Sequence, residues 1–314
     1  MTTKPEKIDE HNGQLLNPLA EPEREQGKES EVGALMTFEE YARMEERGEV
    51  HVPPYEYEEG SEAGKRVVYF AAVHSNDPSH AMFDEGQIER SLEKARPDVV
   101  FVEGLITLTE HKDAFLKRLA QMSREEAIRA FGEAGFAAKI AQEQGAEVDS
   151  PEPAPKEEIE DLQKRGFSRN AIFAFFTYRQ IPEFQRRANE SDMNSFKEYI
   201  KPTLEEFKKA TQWADFDYSF ERALYVGKKI WGDDMNPADE SWEFRLDPVS
   251  RASQTEHETV VNEIARESNV FRDTHILEKV KETLQGRDRI FIVYGATHAV
   301  MQRPAIREML SLRS

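Results

Sequence analysis

The sequence predicts an α/β fold with a central, mainly parallel sheet flanked by helices and an inserted helical subdomain. Three apolar runs carry this prediction: RVVYFAAV from residue 66, DVVFV from residue 98 and IFIVY from residue 290. Each run is continuous rather than alternating, which is typical of parallel strands buried on both faces. Helical patterns separate the runs, as in βαβ units.

The chain before the first run predicts little structure. Residues 1–33 are acidic and punctuated by Pro and Gly, so we expect a disordered acidic tail. Residues 34–65 are assigned to a short helix and a linker. Thr37 and Glu40 have the spacing of a capping box, and the stretch from Val52 has the composition of a linker.

Residues 66–155 and 255–314 are assigned to the α/β core, and residues 156–254 to a helical insert. The insert combines helix formers with aromatic residues, as in AIFAFFTYRQ from residue 171, and contains no convincing strand. Within the core, further elements are predicted: a helix over 84–94, a helical region with a capping box at Ser123 and Glu126, a short strand over 145–148, and a long helix from the box at Thr255 and Glu258 to about Gly286.

Composition excludes several classes of protein. A net charge of −19 argues against nucleic-acid binding and against anionic membranes. The absence of cysteine excludes disulfides, thiolate nucleophiles and Cys-ligated metals. The N-terminus lacks a signal-peptide core, and no apolar run reaches the roughly 18 residues of a membrane span. We therefore expect a cytoplasmic protein, with the oligomeric state left open.

Ionisable residues follow every predicted parallel strand. His74 follows the first strand, Glu103 the second, Asp149 and Glu152 the third, and His298 the last. Ligands of open parallel sheets bind at the carboxyl ends of the strands. These residues are therefore predicted to assemble one site, although a polar residue at a single strand end is more often an ordinary surface residue.

Two histidines and a carboxylate support two kinds of chemistry. They can hold a divalent metal that keeps positions open for water. Without a metal, a histidine or glutamate can deprotonate water while a second histidine stabilises the developing charge. Either chemistry leads to hydrolysis.

Further candidates have a structural and a functional interpretation. Arg272 and Asp273 lie within the long predicted helix, where charges usually face solvent. His80 belongs either to an Asn-Asp-Pro turn or to the site. Glu133 and Arg179 are candidates for the same pocket. The structural interpretation is that Glu133 is a charged loop residue and that Arg179 extends its guanidinium to solvent.

These motifs resemble the TraB/TIKI group, which belongs to a superfamily with the erythromycin esterases and the haem-binding ChaN proteins. The resemblance spans residues 66–310 in short islands: VVYFAAVHSNDPSH, PDVVFVEG, QGAEVDSPEP, FRDTHI and VYGATHAVMQRPAI. Glu103 matches the family glutamate after the second strand, and Gly295 to His298 matches the second GxxH motif. Arg272 and Asp273 fall at the Arg-containing helix motif.

Two motifs depart from the family pattern. The first GxxH motif reads AAVH and lacks its glycine, and the acidic motif reads DSPE rather than Asp-Arg-Pro. TIKI proteins are secreted or membrane-anchored metalloproteases, and this chain shows neither feature in its sequence. A peptide substrate therefore does not transfer directly, and a small molecule or a peptide both remain open.

The resemblance implies a hydrolytic or metal-binding site built on His74, Glu103 and His298. A manganese, cobalt or zinc ion is the expected metal, with Glu152 and Asp273 as further ligands or as carboxylates that orient a histidine. Arg272 is expected to bind an anionic group or to stabilise an oxyanion. The alternatives are a ChaN-like protein that binds haem or another ligand without turnover, and a regulatory module whose acidic tail binds a basic partner.

Overall fold

The computed structural model describes most of the chain, over residues 34–105, 107–187, 192–249 and 258–311. In the helix that begins at Thr107, side chains are described from residue 112 onward. The predicted tail over residues 1–33 and the predicted cap at Thr255 lie outside the described residues.

Five strands form one mixed sheet in the order β1-β2-β5-β3-β4. The strands are β1 (Tyr55–Gly60), β2 (Arg66–Ala72), β3 (Val99–Val102), β4 (Glu147–Asp149) and β5 (Arg289–Gly295). β2, β5, β3 and β4 run parallel to one another, and β1 pairs antiparallel with β2 at one edge. The predicted α/β class with a mainly parallel sheet is confirmed.

Helices cover the sheet and fill the region between β4 and β5. They are α1 (Phe38–Glu46), α2 (Ala81–Asp84), α3 (Gln87–Ala95), α4 (Thr107–Gln121), α5 (Arg124–Glu143), α6 (Pro155–Lys164), α7 (Arg169–Tyr178), α8 (Ile181–Arg187), α9 (Met193–Thr211), α10 (Phe220–Trp231), α11 (Trp242–Arg245), α12 (Val260–Gly286) and α13 (Ala296–Ser311). The predicted capping boxes at Thr37 and at Ser123 are both formed.

The core lies on both faces of the sheet, as continuous apolar strands require. Phe291 and Val293 of β5 pack with α2, α3, α4 and α5 on one face, whereas Ile290 and Ile292 pack with α12 and α13 on the other. A separate aromatic cluster joins α6 to α11, and Val261 at the start of α12 belongs to it. Helix α12 therefore passes from the insert to the sheet.

Two predicted elements differ from the structure. The stretch predicted as a linker contains β1, an acidic edge strand in which Tyr57 faces the core and the neighbouring glutamates face outward. The helix predicted over 84–94 is α3, which begins later, at Gln87, because Gly86 before it has a φ of 61° and Asp84 belongs to the end of α2. The long helix begins at Val260, with Thr259 and Asn262 forming its capping box.

Candidate active site

His74 lies just beyond the end of β2 and is held from behind by a buried carboxylate. Its Nδ1 lies 2.6 Å from Oε1 of Glu133 on α5, and Nδ1 is the donor when Glu133 is ionised. The second carboxylate oxygen of Glu133 accepts a bond from the backbone N–H of Ser75 at 3.2 Å. Glu133 therefore fixes both the imidazole and the loop that carries it.

His298 is held in the same manner from another part of the chain. Helix α13 begins directly after β5, so His298 lies in its first turn, at the carboxyl edge of the sheet. Nδ1 of His298 lies 2.6 Å from Oδ1 of Asp273, which is fully buried on α12. Gln302, one turn further along α13, donates to the same oxygen at 2.7 Å.

Glu103 lies between the two histidines, just after β3. Oε2 of Glu103 is 4.0 Å from Nε2 of His74, and Oε1 is 3.6 Å from Nε2 of His298. The backbone N–H of Gly295 donates to Oε2 at 2.7 Å. The free nitrogens of two oriented imidazoles thus converge on one carboxylate.

Arg272 lies behind this carboxylate and is itself clamped. Its Nε and Nη2 donate to the two oxygens of Glu152 at 2.9 and 2.7 Å, and Nη2 lies 3.5 Å from Oε1 of Glu103. The side chain of Glu152 is 5% exposed and that of Arg272 19% exposed. Because Glu152 occupies the guanidinium with two bonds, Arg272 acts on the site mainly through its charge.

The charged groups of this cluster shift the pKa values of His74, His298 and Glu103. Burial alone lowers the pKa of His74, but the bond with Glu133 and the charge of Glu103 raise it to about 9. Burial likewise opposes the raised pKa of His298, which Asp273 and Glu103 produce. Burial would raise the pKa of Glu103, yet His298, His74 and Arg272 lower it to about 2. At neutral pH Glu103 is therefore ionised and His74 favours its protonated form, and the pKa of His298 is shifted in the same direction as that of His74.

The two histidines and Glu103 lie at a cleft of about 400 Å³ at the carboxyl edge of the sheet. Glu103, His74 and His298 line it together with Asn269 of α12 and Thr297 of α13. The side chain of His74 is 45% exposed, whereas that of His298 is 10% exposed. His74 is therefore the imidazole more open to a molecule that enters from solvent.

Three residues that the sequence offered as candidates, among them the strand-end residue Asp149, do not reach this cluster. Asp149 lies at the end of β4 but pairs with Lys112 at 3.4 Å. His80 accepts a bond from the backbone N–H of Met82 and so caps α2. Arg179 pairs with the buried Glu158 at 3.0 Å, under the aromatic cluster of the insert. Each of these side chains is already committed to a local partner outside the cleft lining.

Two other predictions about position are changed by the structure. The solvated interpretation of Arg272 and Asp273 is wrong, because α12 crosses the carboxyl edge of the sheet at this point, where Asp273 is fully buried and the Arg272 side chain is only 19% exposed. Glu133, ranked low, makes the shortest contact of His74. Gln302 was not a candidate, although its position four residues after His298 places both on one helix face.

The predicted metal ligands are spread over separate local contacts. Within the described residues, no group of three or more His, Asp or Glu side chains is placed to hold a metal ion. Glu152 is bound to Arg272, Asp273 lies behind His298, and Glu103 is already close to the Arg272 guanidinium. The five predicted ligands therefore do not form one coordination sphere in this arrangement.

Comparison with models of protein families, with curated protein sequences and with solved structures finds no match to this chain. The TraB/TIKI resemblance therefore depends on its short motifs alone. None of the helices in the described ranges has the length and apolar content needed to cross a lipid bilayer.

Proposed function

We propose that this protein is a hydrolase that activates water directly with a histidine. The observation that carries the proposal is the convergence of two carboxylate-bound imidazoles on the ionised Glu103 at the wall of an open cleft. Paired titratable groups with shifted pKa values, gathered in a cleft, are typical of general acid–base sites. The proposal leaves the substrate open between esters and amides of small molecules or peptides.

The different exposure of the two histidines suggests their roles. Neutral His74, the more exposed imidazole, takes a proton from water on Nε2, and the resulting hydroxide adds to the substrate carbonyl carbon. The carbonyl electron pair moves to oxygen, and Nε2–H of protonated His298 donates a hydrogen bond to that oxyanion. When the tetrahedral intermediate collapses, the C–O or C–N bond breaks and His74 returns its proton to the leaving group.

Four supporting residues keep this arrangement charged and oriented. Glu133 and Asp273 hold the two Nδ1 atoms, so each ring presents Nε2 to the cleft. Glu103 stays ionised beside both rings and stabilises the imidazolium forms. Arg272, which the sequence offered as an anion-binding group, instead supports the low pKa of Glu103 in this proposal.

A pH dependence follows from the raised pKa of His74. The base form of His74 accumulates only as pH rises toward about 9, so the rate should rise through the same range. Asp273 and Glu103 raise the pKa of His298 as well, which favours the protonated form that serves as the donor. A rate that falls between pH 7 and 9 would contradict these roles.

The test is hydrolysis of p-nitrophenyl acetate and of acetyl p-nitroanilide in buffer containing EDTA. We expect the parent to exceed the His74→Gln and His298→Gln variants by about 10²- to 10⁴-fold, the range typical of general acid–base catalysis. The matched control is His275→Gln, on α12 but outside the cleft lining, which should keep the parent rate. If the parent hydrolyses neither probe faster than its His74→Gln variant, this hydrolase proposal fails.

The metal expectation is tested with the same proteins. Manganese, cobalt or zinc is added to samples from which EDTA has been removed by dialysis. Activity that requires the added ion and disappears in both histidine variants would replace direct water activation by a metal-dependent reaction. A Soret band in the purified protein would instead support the haem-binding alternative.

A further inference from the structure

Helix α5 is interrupted one residue before Glu133. Gly132 has φ 61° and ψ −149°, a backbone conformation open essentially to glycine alone. Helical geometry is found on both sides of it, so the chain makes one irregular step within a helix of 20 residues. The residue after that step is the one that bonds His74.

The loop that carries His74 fits into this interruption. The side-chain amide of Asn76 donates to the carbonyl oxygens of Ile128 at 3.2 Å and Arg129 at 3.4 Å. In an uninterrupted α-helix these carbonyls would accept from the N–H groups of residues 132 and 133. Asn76 therefore supplies donors where the helix geometry is broken.

The loop also approaches the helix too closely for a larger residue than glycine. A Cβ on Gly132 would lie 3.0 Å from the carbonyl oxygen of Ser75 and 3.5 Å from Nδ2 of Asn76. The N–H of the same Ser75 donates to Glu133. The loop therefore contacts the helix at two successive residues. It approaches the backbone closely at Gly132 and is hydrogen-bonded to the carboxylate of Glu133.

We propose that Gly132 and Asn76 are positioning residues, and that the helix interruption they maintain sets Glu133 against Nδ1 of His74. A strained, glycine-only conformation beside a site is expected where the surrounding structure holds it for a purpose. The catalytic consequence rests on the proposed hydrolase function, whereas the positioning itself does not. Neither residue is among those that line the cleft.

The test compares the ring nitrogens of His74 by ¹⁵N NMR, read through the carbon-bound ring protons, which do not exchange with water. The variants are Gly132→Ala and Asn76→Asp; the second keeps the size of the side chain and removes its N–H donors. Glu133→Gln provides the signature of a His74 without its carboxylate, and His74→Gln assigns the signal. Gly86→Ala is the matched control, since Gly86 also has a φ of 61° but only the flexible end of Arg90 nearby.

We expect the His74 nitrogen shifts of Gly132→Ala and Asn76→Asp to move toward those of Glu133→Gln, and Gly86→Ala to keep the parent shifts. Where hydrolysis is measurable, kcat should fall in both variants about as far as in Glu133→Gln. Parent shifts in a folded Gly132→Ala or Asn76→Asp variant would overturn the inference. Should Gly132→Ala fail to fold, the partly exposed Asn76→Asp substitution decides the question.

The two proposals fail separately. If the shifts move as expected but no variant or parent hydrolyses either probe, the positioning stands and the hydrolase proposal fails. If the parent hydrolyses the probes while both positioning variants keep its rate and its shifts, the hydrolase proposal stands and the positioning fails.

Discussion

Asp273 and His298 form a buried pair, with Oδ1 of the carboxylate 2.6 Å from Nδ1 of the imidazole. Asp273 is entirely shielded from solvent and His298 nearly so. The two residues come from α12 and α13, the helices that precede and follow β5 in the chain. The bond assigns a proton to Nδ1, so the chemistry of His298 is confined to Nε2. The pair is therefore the point at which α12 controls the direction and charge of an imidazole at the cleft.

Replacing Asp273 by Asn should remove that control. The amide can offer an N–H to Nδ1, which favours the wrong tautomer and lowers the pKa of His298. We expect kcat for p-nitrophenyl acetate to fall by about 10²- to 10⁴-fold, the size of a general acid–base contribution. The control is Asp288→Asn, because the Asp288 side chain is 74% exposed and pairs with Lys65 rather than with His298. Unchanged kcat in a folded Asp273→Asn variant would count against the role given to His298.

Gln302 should matter for stability. It is fully buried and donates to the Asp273 carboxylate at 2.7 Å, so Gln302→Met removes one of the two donors that this buried charge has in the structure. A hydrogen bond to a charged group contributes about 1.5–3 kcal/mol, and we expect the free energy of unfolding in urea to fall by that amount. Gln87→Met is the control, since Gln87 bonds Glu85 at an exposed position. Equal unfolding energies for the two variants would show that Gln302 does not support the pair.

The parallel sheet could be predicted because its strands are buried on both faces and are therefore continuous apolar runs. Once the strands were located, their carboxyl ends were located too, and these ends identified His74, Glu103 and His298 as site residues. Strand β1 was missed because an edge strand needs only one buried face. Tyr57 is its buried residue, and the glutamates around it give the composition of a linker.

The positions of the supporting residues do not follow from local sequence patterns. Asp273 lies in a helix that first packs on the insert and then on the sheet, so a charge at the crossing point looks like any solvated mid-helix charge. Glu133 depends on the irregular step at Gly132, which has no periodic signal. Long-range packing, rather than local pattern, decides where these carboxylates lie.

Arg272→Met should destabilise the fold strongly. The substitution leaves the buried carboxylate of Glu152 without its cation and removes the Arg272 charge from beside Glu103. Removing one partner of a buried ion pair costs about 3–5 kcal/mol, which urea unfolding would detect. The control is Arg129→Met, whose ion pair with Glu125 is exposed on both sides and should contribute less than about 1 kcal/mol.

A second substitution tests whether the unpaired charge is the cause. Replacing Glu152 by Gln in the Arg272→Met background removes one stranded carboxylate and should restore at least about 1 kcal/mol of that loss, since coupled neighbours are not additive. A double variant that is less stable than Arg272→Met would contradict this account of the network.

The stability of the protein should depend on the protonation of His74. Its pKa is about 9 in the folded chain and near the ordinary 6.5 when unfolded, so the folded state binds the proton more tightly. This contribution is complete below about pH 6.5 and is lost as pH rises through about 9. The unfolding free energy of the parent should therefore fall more between pH 6.5 and 9.5 than that of Glu133→Gln, in which the raised pKa loses its main cause. Parallel pH profiles for the two proteins would exclude a stabilising His74–Glu133 pair.

Gly295→Ala should impair the site while leaving the fold intact. Gly295 is the last residue of β5, and its backbone lies outside the left-handed region, so alanine adds little backbone strain. The new Cβ would lie 3.2 Å from Nε2 of His74 and 3.5 Å from Oε2 of Glu103, which forces the imidazole to move by a few tenths of an ångström. A misplacement of about 1 Å at a reacting group can lower a rate by about 10²-fold, so we expect this smaller displacement to lower kcat by less than that. Gly286→Ala is the matched control, because no atom lies within 4 Å of its added Cβ. Full activity of Gly295→Ala would mean that catalysis does not depend on the present position of the His74 imidazole beside Glu103.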